Sequence, residues 1–124
     1  MSISFTDREA DIMKVLWQRG PSTVAEVRES LDDELAYTTV LSILRTLEQK
    51  EYVSHEEEGR THRFYATVDQ QTARQSALQH LTGKLFEGSS ELLLTQLVSD
   101  RNLSKAQVDR IKKLLQQHTW KGKS

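Results

Sequence analysis

The segment from Ala36 to Lys50 has two faces of opposite chemistry, and this feature constrains the fold more than any other part of the chain. At helical spacing, four apolar side chains fall within an arc of about 100°, which can pack against a core. They are Val40, Ile43, Leu44 and Leu47. The opposite face carries Thr38, Thr39, Ser42, Arg45, Thr46 and Gln49. Thr and Ser lower helix propensity, and solvated helix faces usually carry Glu and Lys instead, so this polar face requires a reason.

The flanking segments predict two helices before this one and a β-hairpin after it. Thr6-Asp-Arg-Glu9 is a capping box that starts a helix, and Gly20-Pro21 ends that helix at about Arg19. Ser22 or Thr23 caps a short second helix, which is expected to end in the acidic run 32–34. Apolar residues flank the polar loop 57–61, which predicts a hairpin that turns at Gly59. This order predicts a winged helix-turn-helix over residues 1–68.

Residues 69–124 show helical patterns only, in three short segments. These segments are Thr72 to Leu81, Ser89 or Ser90 to Val98, and a last helix capped by Ser104, with Gly83 and Gly88 in the first gap. Short amphipathic helices of this kind have too little mass to close a core alone. A second copy of the chain is the simplest partner, so we expect a homodimer. The predicted dimerisation residues are Leu92, Leu93, Leu97, Val108, Ile111 and Leu115. The expected fold class is therefore mainly α with a small β-hairpin wing, joined to a C-terminal helical dimerisation region.

The polar face of the third helix is suited to double-stranded DNA. Short hydroxyl and amide side chains let a helix backbone approach the bases in the major groove, and they also bond phosphate oxygens. The predicted DNA-binding residues on this helix are Thr38, Thr39, Ser42, Arg45 and Thr46. In the hairpin, Arg60 and Arg63 are predicted to reach the DNA backbone or minor groove, although the acidic run 56–58 would repel phosphates.

Several classes of site are excluded by composition and spacing. The chain has no cysteine, which excludes disulfides, thiolate zinc sites, iron–sulfur clusters and cysteine nucleophiles. Its four histidines show no metal-binding spacing, although His55 and His62 would face each other across a tight hairpin. There is no glycine-rich phosphate loop and no nucleophile elbow. We therefore expect no enzymatic activity, no metal and no cofactor.

The charge distribution leaves two other functions open. Residues 1–68 carry 8 basic and 13 acidic side chains, whereas residues 69–124 carry 9 and 5. Because the N-terminal half is acidic, a winged helix used as a protein-docking module is one alternative; a regulator that senses a small molecule between its two halves is another. The chain shows no long apolar run and no signal peptide, so we expect a cytoplasmic protein without membrane insertion.

Three groups of residues resemble a known family. They are Thr6 to Glu9 with Ile12-Met13 and Leu16-Trp17, then Tyr37 to Leu47 with Lys50, and Gly59-Arg60 before Tyr65. Together they resemble the penicillinase and methicillin-resistance repressors of BlaI/MecI type. The resemblance covers residues 4–68 by motif and 69–118 by helix pattern.

This resemblance implies a homodimeric winged-helix repressor that binds inverted-repeat operators. It also implies release of repression when a membrane-bound sensor protease, responding to β-lactam, leads to cleavage of the repressor. The residues of the third helix would read the operator, with Arg60 in the wing, and Thr38 stands where relatives often have a basic residue. The Asn-Phe bond that is cleaved in the family corresponds to Gln96-Leu97, so this chain departs from the family pattern there. The paired cysteines of the copper-responsive branch are absent, which excludes copper(I) sensing through thiolates.

Overall fold

The computed structural model describes residues 3–100 and 103–118, which are mainly helical with one small antiparallel sheet. The elements are α1 (Asp7–Arg19), β1 (Ser22–Thr23), α2 (Val24–Ser30), α3 (Tyr37–Gln49), β2 (Val53–Glu58), β3 (Thr61–Ala66), α4 (Gln70–Leu85), α5 (Ser90–Ser99) and α6 (Lys105–Gln117). This order confirms the predicted fold class, a winged helix followed by helices. Residues 119–124 of the predicted dimerisation region lie outside the described part.

Local signals set the bounds of the first two helices. The Thr6 hydroxyl accepts a hydrogen bond from the Glu9 amide, and the Glu9 carboxylate accepts one from the Thr6 amide, so α1 starts with the predicted capping box. Gly20 ends α1 with a φ of 88°, a conformation that favours glycine. Thr23 caps α2 in the same way with Glu26. The prediction that α2 reaches the acidic run is wrong, because Leu31 adopts an extended backbone and ends the helix at Ser30.

The sheet contains the predicted hairpin and one strand that was not predicted. Strands β2 and β3 pair through a two-residue turn, Gly59-Arg60, where Gly59 has a φ of 64°. Such tight turns require positive φ, which explains the glycine. The short strand β1 pairs with the outer edge of β3, with Ser22 opposite Phe64 and Thr23 opposite Arg63, so the strand order is β1-β3-β2. We refer to the β2–β3 hairpin below as the wing.

The core of the first 80 residues lies between α1, α2, α3 and the sheet. Phe64 of β3 is 1% exposed and is the largest of the fully buried side chains. The other core residues are Ile12, Met13, Val15, Leu16, Val24, Val27, Val40, Leu44, Leu47 and Val53. This packing fixes α3 with its apolar arc inward, as the sequence pattern predicts.

The chain divides into two compact units, residues 1–80 and 81–124. Helix α4 is longer than the predicted segment 72–81, because Gly83 lies inside the helix and does not end it. The helix ends where Glu87 takes a φ of 52° and the Gly88 amide donates to the Thr82 carbonyl, an arrangement typical of a helix C-terminus. Across residues 3–100 and 103–118, none of the helices has the length and apolar character needed to cross a membrane.

Candidate nucleic-acid interface

The polar face of α3 is open to solvent along its whole length. Val40, Leu44 and Leu47 are fully buried on the inner side of the helix. The six residues of the opposite face are all exposed: Thr38, Thr39, Ser42, Arg45, Thr46 and Gln49. The helix is therefore seated by aliphatic packing, while its hydroxyls, amide and guanidinium face outward.

These outward side chains are almost free of contacts within the protein. The Thr46 hydroxyl donates to the Ser42 carbonyl over 3.1 Å, a bond within the same helix. Within the described part of the chain, Thr38, Thr39 and Arg45 form no side-chain hydrogen bond or ion pair. The first turn of α3 also has no side-chain cap and no acidic residue, so the positive end of the helix dipole meets solvent. A polyanion can approach this face without displacing a protein contact.

An ion pair between the buried Glu9 and the exposed Lys50 holds the C-terminal end of α3 against the start of α1. The Lys50 ammonium lies 2.9 Å from both carboxylate oxygens of Glu9, whose side chain is 5% exposed. Burial alone would raise the pKa of Glu9, but hydrogen bonds from Lys50 and Thr6 outweigh burial and hold the pKa below its ordinary value. Glu9 thus stays ionised and fixes the position of α3.

The two wing arginines occupy different environments. Arg60 lies in the β2–β3 turn, is exposed and forms no ion pair with any described residue. Arg63 lies on β3 and is held by Glu58, Glu26 and the Pro21 carbonyl, at 2.6, 2.9 and 3.2 Å. The hydrogen bond to Glu58 raises the pKa of Arg63 further, since it outweighs the opposing effect of burial. Of the two arginines, only Arg60 is presented to solvent without a carboxylate partner.

The two wing histidines lie side by side, as a tight hairpin predicts. Their rings stack with centroids 4.3 Å apart and planes 13° apart. The Nδ1 atom of His55 lies 2.8 Å from both carboxylate oxygens of Glu48 on α3, which ties β2 to this helix. His62 lies 3.9 Å from a carboxylate oxygen of Glu57. No group of three or more potential metal ligands comes together among residues 3–100 and 103–118.

Helices α5 and α6 bury none of their described residues. Among the predicted dimerisation residues, Leu92, Leu97 and Leu115 are more than 40% exposed, while Leu93, Val108 and Ile111 are half-buried. Further exposed apolar residues were not predicted: Leu81, Leu85, Leu94, Val98 and Leu114. The sequence does indicate that Leu81 and Leu85 of α4 share a surface, because residues spaced four positions apart lie on the same helix face.

The predicted cleavage position lies inside α5. The side-chain Nε2 of Gln96 donates to a carboxylate oxygen of Asp100 over 2.9 Å, and Leu97 is one of the exposed apolar residues. The Gln96–Leu97 peptide bond is helical, so a protease would need α5 to open locally before it could bind this bond.

Comparisons with known proteins agree with this architecture. A family model described as penicillinase repressor matches residues 5–117. A transcriptional regulator BlaI from Mycobacterium tuberculosis is 30% identical over 107 residues, covering 70% of this chain and 78% of the relative. A penicillinase repressor from Bacillus licheniformis is 20% identical over 115 residues, covering 91% and 90%.

A solved structure shares the fold. A mutant of MarR from E. coli superposes with a TM-score of 0.56 at 16% identity, covering 91% of this chain and 76% of that one. At this identity the similarity concerns the fold alone, which is the winged helix described above. The family match extends over nearly the whole chain, from the first capping box to the last helix. The chain therefore belongs to the penicillinase repressor family of winged-helix transcriptional regulators.

Proposed function

We propose that this protein is a transcriptional repressor that binds a palindromic DNA operator as a homodimer and has no enzymatic activity. The observation that carries the proposal is the polar face of α3, which is exposed and nearly free of protein contacts. Family membership supports the same function. Because its partner would be chromosomal DNA, we also propose that the protein acts in the cytoplasm.

The proposed contacts divide into two groups by chemistry. Arg45 projects from the middle of the polar face and is the residue best suited to a bidentate contact with a guanine edge. The hydroxyl groups of this face would form hydrogen bonds with phosphate oxygens or with nearby base edges; they belong to Thr38, Thr39, Ser42 and Thr46. Arg60 would contact the DNA backbone from the wing. Exposed acidic residues 56–58 lie in the same hairpin, so the wing contact would be weak.

The apolar surface of the C-terminal helices supports the proposed dimer. Leucine and valine side chains on α5 and α6 remain exposed in one protomer, and large apolar side chains exposed in this number favour a protein–protein contact. A two-fold partner would present one recognition helix to each operator half-site, about 34 Å apart. If the dimer dissociated, each protomer would hold one half-site alone. The affinity gained because two joined protomers bind the operator together, on the order of 100-fold or more, would then be lost. Cleavage at Gln96–Leu97 by a membrane sensor protease would release the operator by weakening the dimer in this way.

Gel-shift titration of genomic fragments at several salt concentrations tests the DNA-binding proposal. A repressor is expected to form a specific complex whose logarithmic affinity falls linearly with the logarithm of salt concentration. A protein-docking module would form no specific complex at any salt concentration, and that result would overturn the proposal.

Leu97→Asp tests the proposed dimer surface, with Gln116→Asp as its control. Leu97 lies within the apolar arc of α5, whereas Gln116 lies on the polar side of α6 with Lys112 and Lys113. We expect monomers of Leu97→Asp in sedimentation velocity, because dimerisation would bury a charge. We expect Gln116→Asp to remain dimeric. A surviving Leu97→Asp dimer would mean that the interface lies elsewhere.

One observation favours a second candidate function, a regulator that senses a small molecule. A groove of about 750 Å³ runs beside Trp17, Tyr65 and Val68 in the first unit. Its lining combines these residues with the charged side chains of Glu56, Arg63 and Asp69, and small-molecule sites likewise pair apolar surface with a few polar groups. Thermal melting with a library of small aromatic metabolites tests this candidate. A ligand that raises the melting temperature and changes operator affinity would support sensing, whereas no shift across the library would count against it.

A further inference from the structure

Arg63 joins three separate parts of the first unit. Its Nε donates to Glu58 at the end of β2, and its Nη1 donates to Glu26 of α2 and to the carbonyl of Pro21 before β1. The side chain is 35% exposed, so these bonds occupy a partly covered position. Both its carboxylate partners are ionic, which makes these hydrogen bonds stronger than neutral ones.

The acceptor on α2 is itself held in place. Oε1 of Glu26 accepts the Thr23 amide at 2.9 Å, which completes the capping box of α2. Oε2 of Glu26 lies 3.2 Å from the Arg19 guanidinium at the end of α1. Arg19 also donates to the Ser30 hydroxyl at 2.9 Å. Glu26 is therefore a fixed point to which α1, α2 and the wing are all attached.

The hydrogen bonds to Glu58, Glu26 and Pro21 use Nε and both protons of Nη1, so a DNA phosphate could meet Arg63 in place only through Nη2, where two carboxylates already balance the guanidinium charge. Contact through the other nitrogens would require Arg63 to leave this arrangement. The Glu26 and Glu58 carboxylates would lose a charged partner, and they would then face the incoming phosphates. Arg60 incurs no such loss, because it forms no ion pair with a described residue. Arg60 can therefore contact a phosphate without losing an ion pair, whereas Arg63 can do so only through Nη2.

We propose, on the basis of the proposed operator-binding function, that Arg63 is a positioning residue that fastens the wing to α2 and does not contact DNA. Arg60 is then the wing residue that meets the phosphate backbone. Arg60 reaches the phosphate backbone only while the Arg63–Glu26 pair holds β3 against α2.

Salt dependence separates the two roles. Each phosphate contact contributes about 0.9 to the slope of logarithmic affinity against logarithmic salt concentration. We expect Arg60→Ala to lower the slope by about that amount. Because Arg63 acts by positioning Arg60, we expect Arg63→Ala to weaken operator binding and lower the slope by no more than Arg60→Ala does, and the Arg60→Ala/Arg63→Ala double variant to match Arg60→Ala in both affinity and slope.

Arg63→Lys gives a second discrimination that does not depend on removing the charge. Lysine serves well as a phosphate contact, but one ammonium cannot replace a guanidinium fork that bonds Glu58, Glu26 and a carbonyl. We therefore expect Arg63→Lys to bind as weakly as Arg63→Ala. Full affinity and slope in Arg63→Lys would overturn the proposal, as would a double variant that binds more weakly than Arg60→Ala with a slope lower by about a further 0.9.

Glu26→Gln tests the other side of the pair and keeps the capping box, since glutamine also serves at that position. Glu29→Gln on the same helix is the control, because Glu29 is exposed and makes no contact with Arg63. We expect Glu26→Gln to bind more weakly than Glu29→Gln, and the double variant with Arg63→Ala to bind no more weakly than Arg63→Ala alone. Equal affinity of the two glutamine variants would refute the positioning role.

The failure of this inference is distinguishable from failure of the proposed function. If wild-type protein forms no specific complex with DNA, the proposed function itself is wrong. If wild-type protein binds and Arg45→Ala weakens binding, the proposed function stands, and the Arg63 variants then decide the inference. All variants are compared at a temperature well below their melting transitions, so that folding is equal.

Discussion

Glu9→Gln removes the charge of the buried partner in the ion pair that joins α1 to the end of α3. In the wild-type protein the Glu9 carboxylate accepts the Thr6 amide at 2.8 Å and meets the Lys50 ammonium at 2.9 Å through both oxygens. Glutamine keeps an oxygen for the Thr6 amide, so the capping box survives. The variant therefore isolates the interaction with Lys50.

The size of the effect follows from burial. A hydrogen bond to a charged group contributes about 1.5 to 3 kcal/mol. Glu9 is 4% exposed, but the Lys50 side chain is 39% exposed and recovers hydration when its partner is lost. We therefore expect Glu9→Gln to lower the free energy of unfolding by about 1.5 to 2 kcal/mol at pH 7. Glu9→Ala also loses the cap and should cost about 0.5 to 2 kcal/mol more.

The pH dependence has a defined sign. The folded protein holds the pKa of Glu9 below its ordinary value, because the hydrogen bonds from Lys50 and Thr6 outweigh the effect of burial. A depressed pKa gives stability that is fully present above the ordinary carboxyl pKa and is lost as pH falls through the folded pKa. The difference in stability between wild type and Glu9→Gln should therefore shrink below about pH 4.3.

Urea denaturation at fixed protein concentration, from pH 7 to pH 3, measures this difference. Asp7→Asn is the control, because Asp7 is an exposed acidic residue in the same first turn of α1. Its effect should stay within the range for a helix-dipole interaction, about 0.3 to 1 kcal/mol. Equal stability of Glu9→Gln and wild type at pH 7, or a difference that does not shrink in acid, would refute the reasoning.

Three further predictions concern the wing and its support. Gly59→Ala should destabilise the protein by about 1 kcal/mol through backbone strain alone, because Gly59 has a positive φ and no atom lies within 4 Å of an added Cβ; thermal melting beside the milder Gly59→Asn checks this. Phe64→Ala should cost about 3 to 5 kcal/mol in urea denaturation, because the ring is 1% exposed, and a smaller cost would mean that the core can collapse around the cavity. Trp17→Phe should cost about 1 kcal/mol through loss of the 2.8 Å hydrogen bond to the Val68 carbonyl, and an unchanged melt would contradict this.

Local sequence signals predicted the helices that position the interface. The capping box at Thr6 and the glycine at position 20 set the two ends of α1 as expected. The two-faced pattern of α3 predicted which side chains are buried and which are exposed. These features depend on residues within one or two helical turns of one another, so the sequence alone is enough to predict them.

Long-range contacts were beyond the reach of the sequence pattern. Strand β1 has only two residues, Ser22 and Thr23, and exists because β3 pairs with it from 40 or so positions away. The ion pair between Arg63 and Glu26 is equally non-local, so the sequence pattern around Arg63 does not show that this arginine has a carboxylate partner on α2. The length of α4 was underestimated because Gly83 costs a helix only about 1 kcal/mol, which its neighbours offset.

Operator binding by Arg45→Ala tests the central claim most directly, with Arg74→Ala as a charge-matched control. Arg45 lies on the exposed polar face of α3, whereas Arg74 is an exposed residue of α4. Gel-shift titration with the tightest-binding genomic fragment should show Arg45→Ala weakened by about 1 to 3 kcal/mol, while both variants remain dimeric in sedimentation. Arg74→Ala should bind like wild type. Equal affinity of Arg45→Ala and wild type would contradict the account, because the polar face of α3 would then not be the surface that reads DNA.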